Sequence, residues 1–176
     1  MKTFIALTFI GILTYAYAQC HEVNIMENFN ATKFLNCTWH VTHTKNLESD
    51  SVCEIFEISK TSDNKHVVEY NLGSDEQEIK FRCEAESEED VKILYFNCTV
   101  NDETAFQADY LILDTDYDDY AVFYRCITFE SSGSQDDNYL LLRRKQGKQL
   151  IPECVTRWIS SLGLQECSDL KKSCLK

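Results

Sequence analysis

The chain has 176 residues and a net charge of −12, with 29 acidic against 17 basic side chains. That length is about one domain's worth, and the acidic excess argues against nucleic acid or an anionic membrane surface as a partner. Nine cysteines point to an oxidising compartment, and none stands in a Cys-x-x-Cys pair of the zinc or thioredoxin kind.

At the start, Lys2 precedes an apolar run over 4–18 that ends in Ala16-Tyr17-Ala18. This reads as a secretory signal peptide over 1–18, leaving 19–176 as a single mature domain. Residues 33–44 alternate with a period of two: Leu35, Cys37, Trp39 and Val41 share one face, while Asn36, Thr38, His40 and Thr42 share the other. Asn36-Cys37-Thr38 is a glycosylation sequon, which turns Asn36 to solvent and Trp39 inward. The sequence predicts further strands over 52–60, 66–72, 77–85, 91–100, 104–113, 120–130 and 139–145, separated by turns rich in Gly, Ser, Asn and acids. In the second strand Val52, Glu54, Phe56 and Ile58 oppose Cys53, Ile55 and Glu57. Eight short strands with no helix between them predict an all-β, antiparallel barrel or sandwich. The period then changes: Pro152 starts a helix that carries Val155, Trp158, Ile159 and Leu162 on one stripe and stops at Gly163. Such a helix should lie on the outside of the sheet.

Sequons stand at Asn30, Asn36 and Asn97. An outward Asn97 turns Cys98 inward with Leu94, Phe96 and Val100, and Cys83 shares the apolar face of the preceding strand with Ile79, Phe81 and Ala85. Neighbouring antiparallel strands can therefore set Cys83 and Cys98 opposite each other as a disulfide. No Gly-x-Ser-x-Gly, His-Glu-x-x-His or phosphate-cradling loop is present. The acid pairs Glu88-Glu89, Asp118-Asp119 and Asp136-Asp137 fall in predicted turns and read as solvated charge. No catalysis and no metal site are expected.

Three places carry a family resemblance. Cys37-Thr38-Trp39 stands where lipocalins have Gly-x-Trp on the first strand, with Cys37 replacing the Gly. Thr115-Asp116-Tyr117 matches their second motif, before the seventh strand. Arg143-Arg144 ends the eighth strand, and Arg144 is aligned with the Arg that packs over the Trp. The chain resembles lipocalins, and within them the salivary lipocalins of blood-feeding triatomine bugs (the nitrophorin, triabin and pallidipin group). The resemblance implies an eight-stranded up-and-down barrel with a C-terminal α-helix packed on its outside. It also implies Cys20–Cys126 and Cys53–Cys167 disulfides, and secretion into saliva. Cys37, Cys154 and Cys174 remain, with one pair among them left open. Nitrophorins hold haem through a His on the third strand. Counting from Cys53 puts Asn71 at that place, with His66 five residues earlier and on the opposite face, so no cofactor is expected.

An eight-stranded barrel can hold one small molecule. Phe81 and Phe96 face inward by the sequon argument, and Tyr70, Phe106, Tyr110 and Tyr124 are added as candidate lining. The alternative, that these rings are ordinary core, stays open. Alternate loops share the mouth and bring Glu48, Asp50, Asp75, Glu76, Asp102, Glu103, Asp136 and Asp137 together against Lys45. An acidic rim draws in a cation. The expected ligand is a biogenic amine such as serotonin, noradrenaline or histamine, its ammonium paired by Glu54 or Glu69; ADP or an eicosanoid remains open. The expected role is a secreted monomer that sequesters a host mediator and so lowers platelet aggregation or vasoconstriction. The alternative is a barrel whose surface inhibits a host coagulation or contact-pathway protease.

Overall fold

The computed structural model describes residues 20–35, 37–46, 53–63, 65–72, 79–86, 91–145 and 150–167. Residues 1–18, read as a signal peptide, together with Asn36, Glu48, Asp50, Asp75, Glu76, Glu88-Glu89 and Cys174, lie outside these residues. Eight antiparallel strands run β1 (Trp39–Thr44), β2 (Ile55–Lys60), β3 (His66–Leu72), β4 (Ile79–Ala85), β5 (Ile93–Val100), β6 (Glu103–Thr115), β7 (Tyr120–Phe129) and β8 (Gln135–Arg143). Each pairs with the next, β8 returns to β1, and β1 meets β2 through Trp39↔Phe56 and His40↔Ile55, which closes the barrel. Helix α1 (Ala31–Phe34) precedes β1 and helix α2 (Glu153–Leu162) follows β8, ahead of a two-residue strand β9 (Gln165–Glu166) on the edge of β1.

The elements follow from local chemistry, with three departures from the sequence reading. The first strand begins at Trp39 and not at Lys33. Asn30 caps α1, its side-chain oxygen accepting from the Lys33 N–H at 2.8 Å, so Phe34 and Leu35 are buried from a helical turn. Cys37 consequently lies in the connection, exposed and outside the Trp39 face, because period-two alternation holds only along a strand. Strand β8 starts at Gln135, within the predicted loop, where polar Gln135–Asn138 complete the ladder to β7. Asn101 and Asp102, at φ 52° and 65°, make the tight β5–β6 turn, a backbone that Asn and Asp tolerate well.

Outside the barrel, α2 buries Val155 completely and packs with Trp158, Ile159 and Leu162 over Tyr120, Val122 and Leu141. Gly163 ends it in the left-handed conformation, at φ 67°. Residues 20–30 run along the outer side of β6 and β7, held by Cys20–Cys126 and by the Met26 N–H donating to the Ile112 carbonyl at 2.8 Å. Disulfides also join Cys53 to Cys167 and Cys83 to Cys98, the latter two being direct partners across β4 and β5.

Candidate functional site

The closed end of the barrel is where the motif residues meet. Trp39 is fully buried, its indole N–H donating to the Phe34 carbonyl at 3.0 Å. The Arg144 guanidinium lies 3.5 Å above the Trp39 ring and donates to the Tyr117 carbonyl at 2.8 Å. Asp116 Oδ1 accepts from the N–H groups of Asp118, Asp119 and Tyr120, and the Thr115 hydroxyl donates to the Tyr120 carbonyl. That web carries Tyr117 at φ 67°, an unusual conformation for an aromatic residue. Arg143 is taken separately, by Asp119 at 2.9 Å. This end is a structural plug, with the free cysteine Cys37 exposed beside it.

Toward the mouth the barrel holds rings and one pair of opposite charges. Tyr110 touches Phe96 and Phe123 at centroid distances of 4.9 and 5.1 Å, and Tyr70 meets Phe56 and Phe81 at 5.5 and 5.4 Å. Among them lie Glu54, 6% exposed at the head of β2, and Arg125, 4% exposed on β7. The closest approach of their charged atoms is 3.8 Å, too long for a hydrogen bond, and neither Glu54 carboxylate oxygen has a hydrogen-bond partner among the described residues. Burial pushes the Glu54 carboxyl up to about 7 against the opposing pull of Arg125. Burial also raises the Tyr70 and Tyr110 hydroxyls well above the usual phenol range.

Above Trp39 the described inner side chains pack closely. A void of about 10 Å³ remains above Trp39, between Phe56, Tyr110 and Phe123. β2 and β3 separate beyond Glu57↔Glu69, leaving a recess of about 350 Å³ where Glu54 and Tyr70 meet Glu57, Glu69, Asn71 and Lys80.

Of the residues expected to line a cavity, Tyr70, Phe96, Phe106 and Tyr110 are buried in the inner core, with Phe81 packed against it at the mouth. Two expectations are corrected. Tyr124 faces outward, beneath the N-terminal segment, where its hydroxyl donates to Asp137 at 2.6 Å and accepts from the His21 N–H. Glu69 is on the outer face, paired with Lys80 and Arg82 at 3.2 Å each. The position reached by counting from Cys53, Asn71, is exposed, whereas His66 is buried at the far end of β3 from the mouth. Asn71 carries no ring nitrogen for a metal, and the His66 ring lies away from the mouth. Of the acidic rim, Asp102, Glu103 and Asp136 are exposed among the described residues.

The residue that sequence reasoning missed is Arg125. β7 is covered on both sides, inside by the core and outside by α2 and the N-terminal segment, so from Tyr120 to Ile127 every residue is buried and alternation vanishes. A usable signal existed. Cys20 precedes the barrel, so its partner Cys126 must face out, which turns Tyr124 out as well and Arg125 in.

Residues 16–157 match the Triabin family. The chain is 34% identical over 172 residues to procalin of Hospesneotomae protracta, covering 95% of this chain and 99% of that relative. It is 36% identical over 148 residues to triabin of Meccus pallidipennis, covering 82% and 92%. Among solved structures, LTBP1 in complex with LTC4 is 26% identical and covers 81% of this chain and 88% of its own, at a TM-score of 0.57. The tryptamine complex of the amine-binding protein of Rhodnius prolixus is 17% identical, covers 86% and 87%, and has a TM-score of 0.66, which shows the shared fold. With its Trp-capping arginine, closed eight-stranded barrel and outer helix, this chain belongs to the Triabin family of lipocalin-type proteins.

Proposed function

We propose that this is a secreted binding protein that sequesters a small host mediator at the mouth of its barrel, an organic amine being the ligand class best supported. The observation that carries the reading is Glu54, a buried carboxyl with no hydrogen-bond partner among the described residues, set among aromatic rings and reached through a recess that also presents Glu57 and Glu69. Unpaired polar atoms at such depth are costly unless a ligand completes them. An ammonium would hydrogen-bond Glu54 while its hydrocarbon or ring displaces Tyr70 or Phe81, the rings nearest the opening. Capture by stoichiometric protein demands submicromolar affinity, about −8 kcal/mol or better.

Arg125 favours a second ligand class, an acidic lipid whose carboxylate would take the guanidinium beside Glu54. The LTBP1 structure, with leukotriene C4 as its ligand, adds support to that class. The small size of the void above Trp39 favours a further reading, inhibition of a host coagulation or contact-pathway protease by the barrel's outer surface.

Calorimetric titration of the mature protein with serotonin, at low and physiological salt, tests the amine reading. One-to-one heat that salt weakens, and that Glu54→Gln reduces by about tenfold or more, is the expected result. No heat with serotonin but binding of leukotriene C4 moves the assignment to the acidic class. ADP is titrated in the same cell. Silence from all three, with a prolonged clotting time, supports the surface reading.

A further inference from the structure

A recess of about 500 Å³ lies along β4 and β5, from Val91 near the closed end to Asp102 at the rim, lined by Lys65, Arg82, Glu84, Tyr95, Asn97 and Thr99 among others. Its volume is that of a small-molecule site. Tyr95 stands out within it: at 62% exposure on a strand interior, it is an aromatic ring with no core to enter. Tyr95, Asn97 and Thr99 are alternate residues of β5 and share its outer face, while Phe96 and Cys98 point into the core. Asn97-Cys98-Thr99 is a sequon, and Asn97 is exposed.

We propose that Tyr95 is the platform for the first sugar of an N-linked glycan on Asn97, and that this glycan covers the recess. Two residues along a strand is the spacing that sets a ring beside the sugar attached to its neighbour. The apolar C–H face of an N-acetylglucosamine lies on the Tyr95 ring, with the ring's polar tip left in water. Polar groups for the sugar hydroxyls stand on both flanks. Glu84 is the partner of Asn97 on β4, Gln107 its partner on β6, and Asp109 the partner of Tyr95. Transfer from a lipid-linked oligosaccharide pyrophosphate forms the bond between Asn97 Nδ2 and the sugar C1. It breaks that carbon's bond to the pyrophosphate oxygen, the lipid pyrophosphate leaves with the bonding pair, and the amide gives up one proton. The acceptor in this step is the nascent chain, before β5 closes against β4.

The test uses the full chain secreted from insect cells, with Thr32→Ala and Thr38→Ala leaving Asn97 as its sole sequon, and lectin-selected so that Asn97 is occupied. Peptide mass mapping of the total secreted protein, before lectin selection, reads occupancy, and the melting temperature of the selected protein reads the contact. Tyr95→Ala is expected to lower Tm by about 2–4 °C in the glycosylated protein and to leave the Asn97→Gln protein almost unmoved. An unmodified Asn97 peptide throughout the secreted protein would overturn the proposal, as would an equal Tyr95→Ala shift with and without the glycan.

Discussion

The Glu54 carboxyl is held up to about 7 by burial, with Arg125 pulling the other way, whereas a solvated Glu sits near 4.5. Between those two values the native chain carries more protons at this site than the unfolded chain does. Raising the pH across that window therefore removes stability, and above about 7 the whole loss, about 3 kcal/mol, is in force. Urea midpoints measured from pH 4.5 to 8 should fall across the window. In Glu54→Gln the fall should be smaller by about that amount, because an amide in the same place has no proton to lose. The sequence set Glu54 in alternation with Phe56 and Ile58 but left open whether Glu54 or Glu69 points inward, and the structure buries Glu54. Its partner was not legible in the sequence. The distance between Glu54 and Arg125, 71 positions apart in the chain, is set by the closing of the barrel.

Strand ends and turns account for the closed end. Arg144 joins three elements: it covers Trp39 at the start of β1, bonds the Tyr117 carbonyl in the β6–β7 turn, and follows the last residue of β8. Arg144→Ala removes the cation–π contact and the charged hydrogen bonds to that carbonyl, and should cost about 2–4 kcal/mol in urea unfolding. Arg144→Lys should recover part of this, since an ammonium keeps the charge but not the planar fork that stacks and bonds at once. This cluster was legible through the family resemblance, whose three motifs stand at strand ends. β7 was the opposite case. Its outer face is dry as well as its inner one, so hydrophobicity carried no parity, and Tyr124, expected inside, stands outside while Arg125 beside it points in.

Across the molecule, the barrel closes through a short β1–β2 contact and is tied by cross-links of different reach. Cys20–Cys126 and Cys53–Cys167 span 106 and 114 positions, against 15 for Cys83–Cys98. By loop entropy the long links should each contribute about 4.7 kcal/mol and the short one about 3 kcal/mol. Replacing each pair by alanines should therefore destabilise in that order, as read by urea unfolding. The long pairs also fasten segments that do not belong to the sheet, the N-terminal segment over β7 and the chain after α2, and their loss should raise proteolysis there first.

The sequence by itself determined the strands, the outer helix, the family motifs and the Cys83–Cys98 pair. Each rests on a local period, a turn residue or a neighbour across one hairpin, and local geometry repeats faithfully along a chain. Only the tertiary structure decided which rings fill the barrel, that Arg125 stands inside beside Glu54, and that Glu69 and Tyr124 stand outside. Those placements depend on which faces are covered by distant segments, and coverage is a property of the closed barrel that no single strand carries.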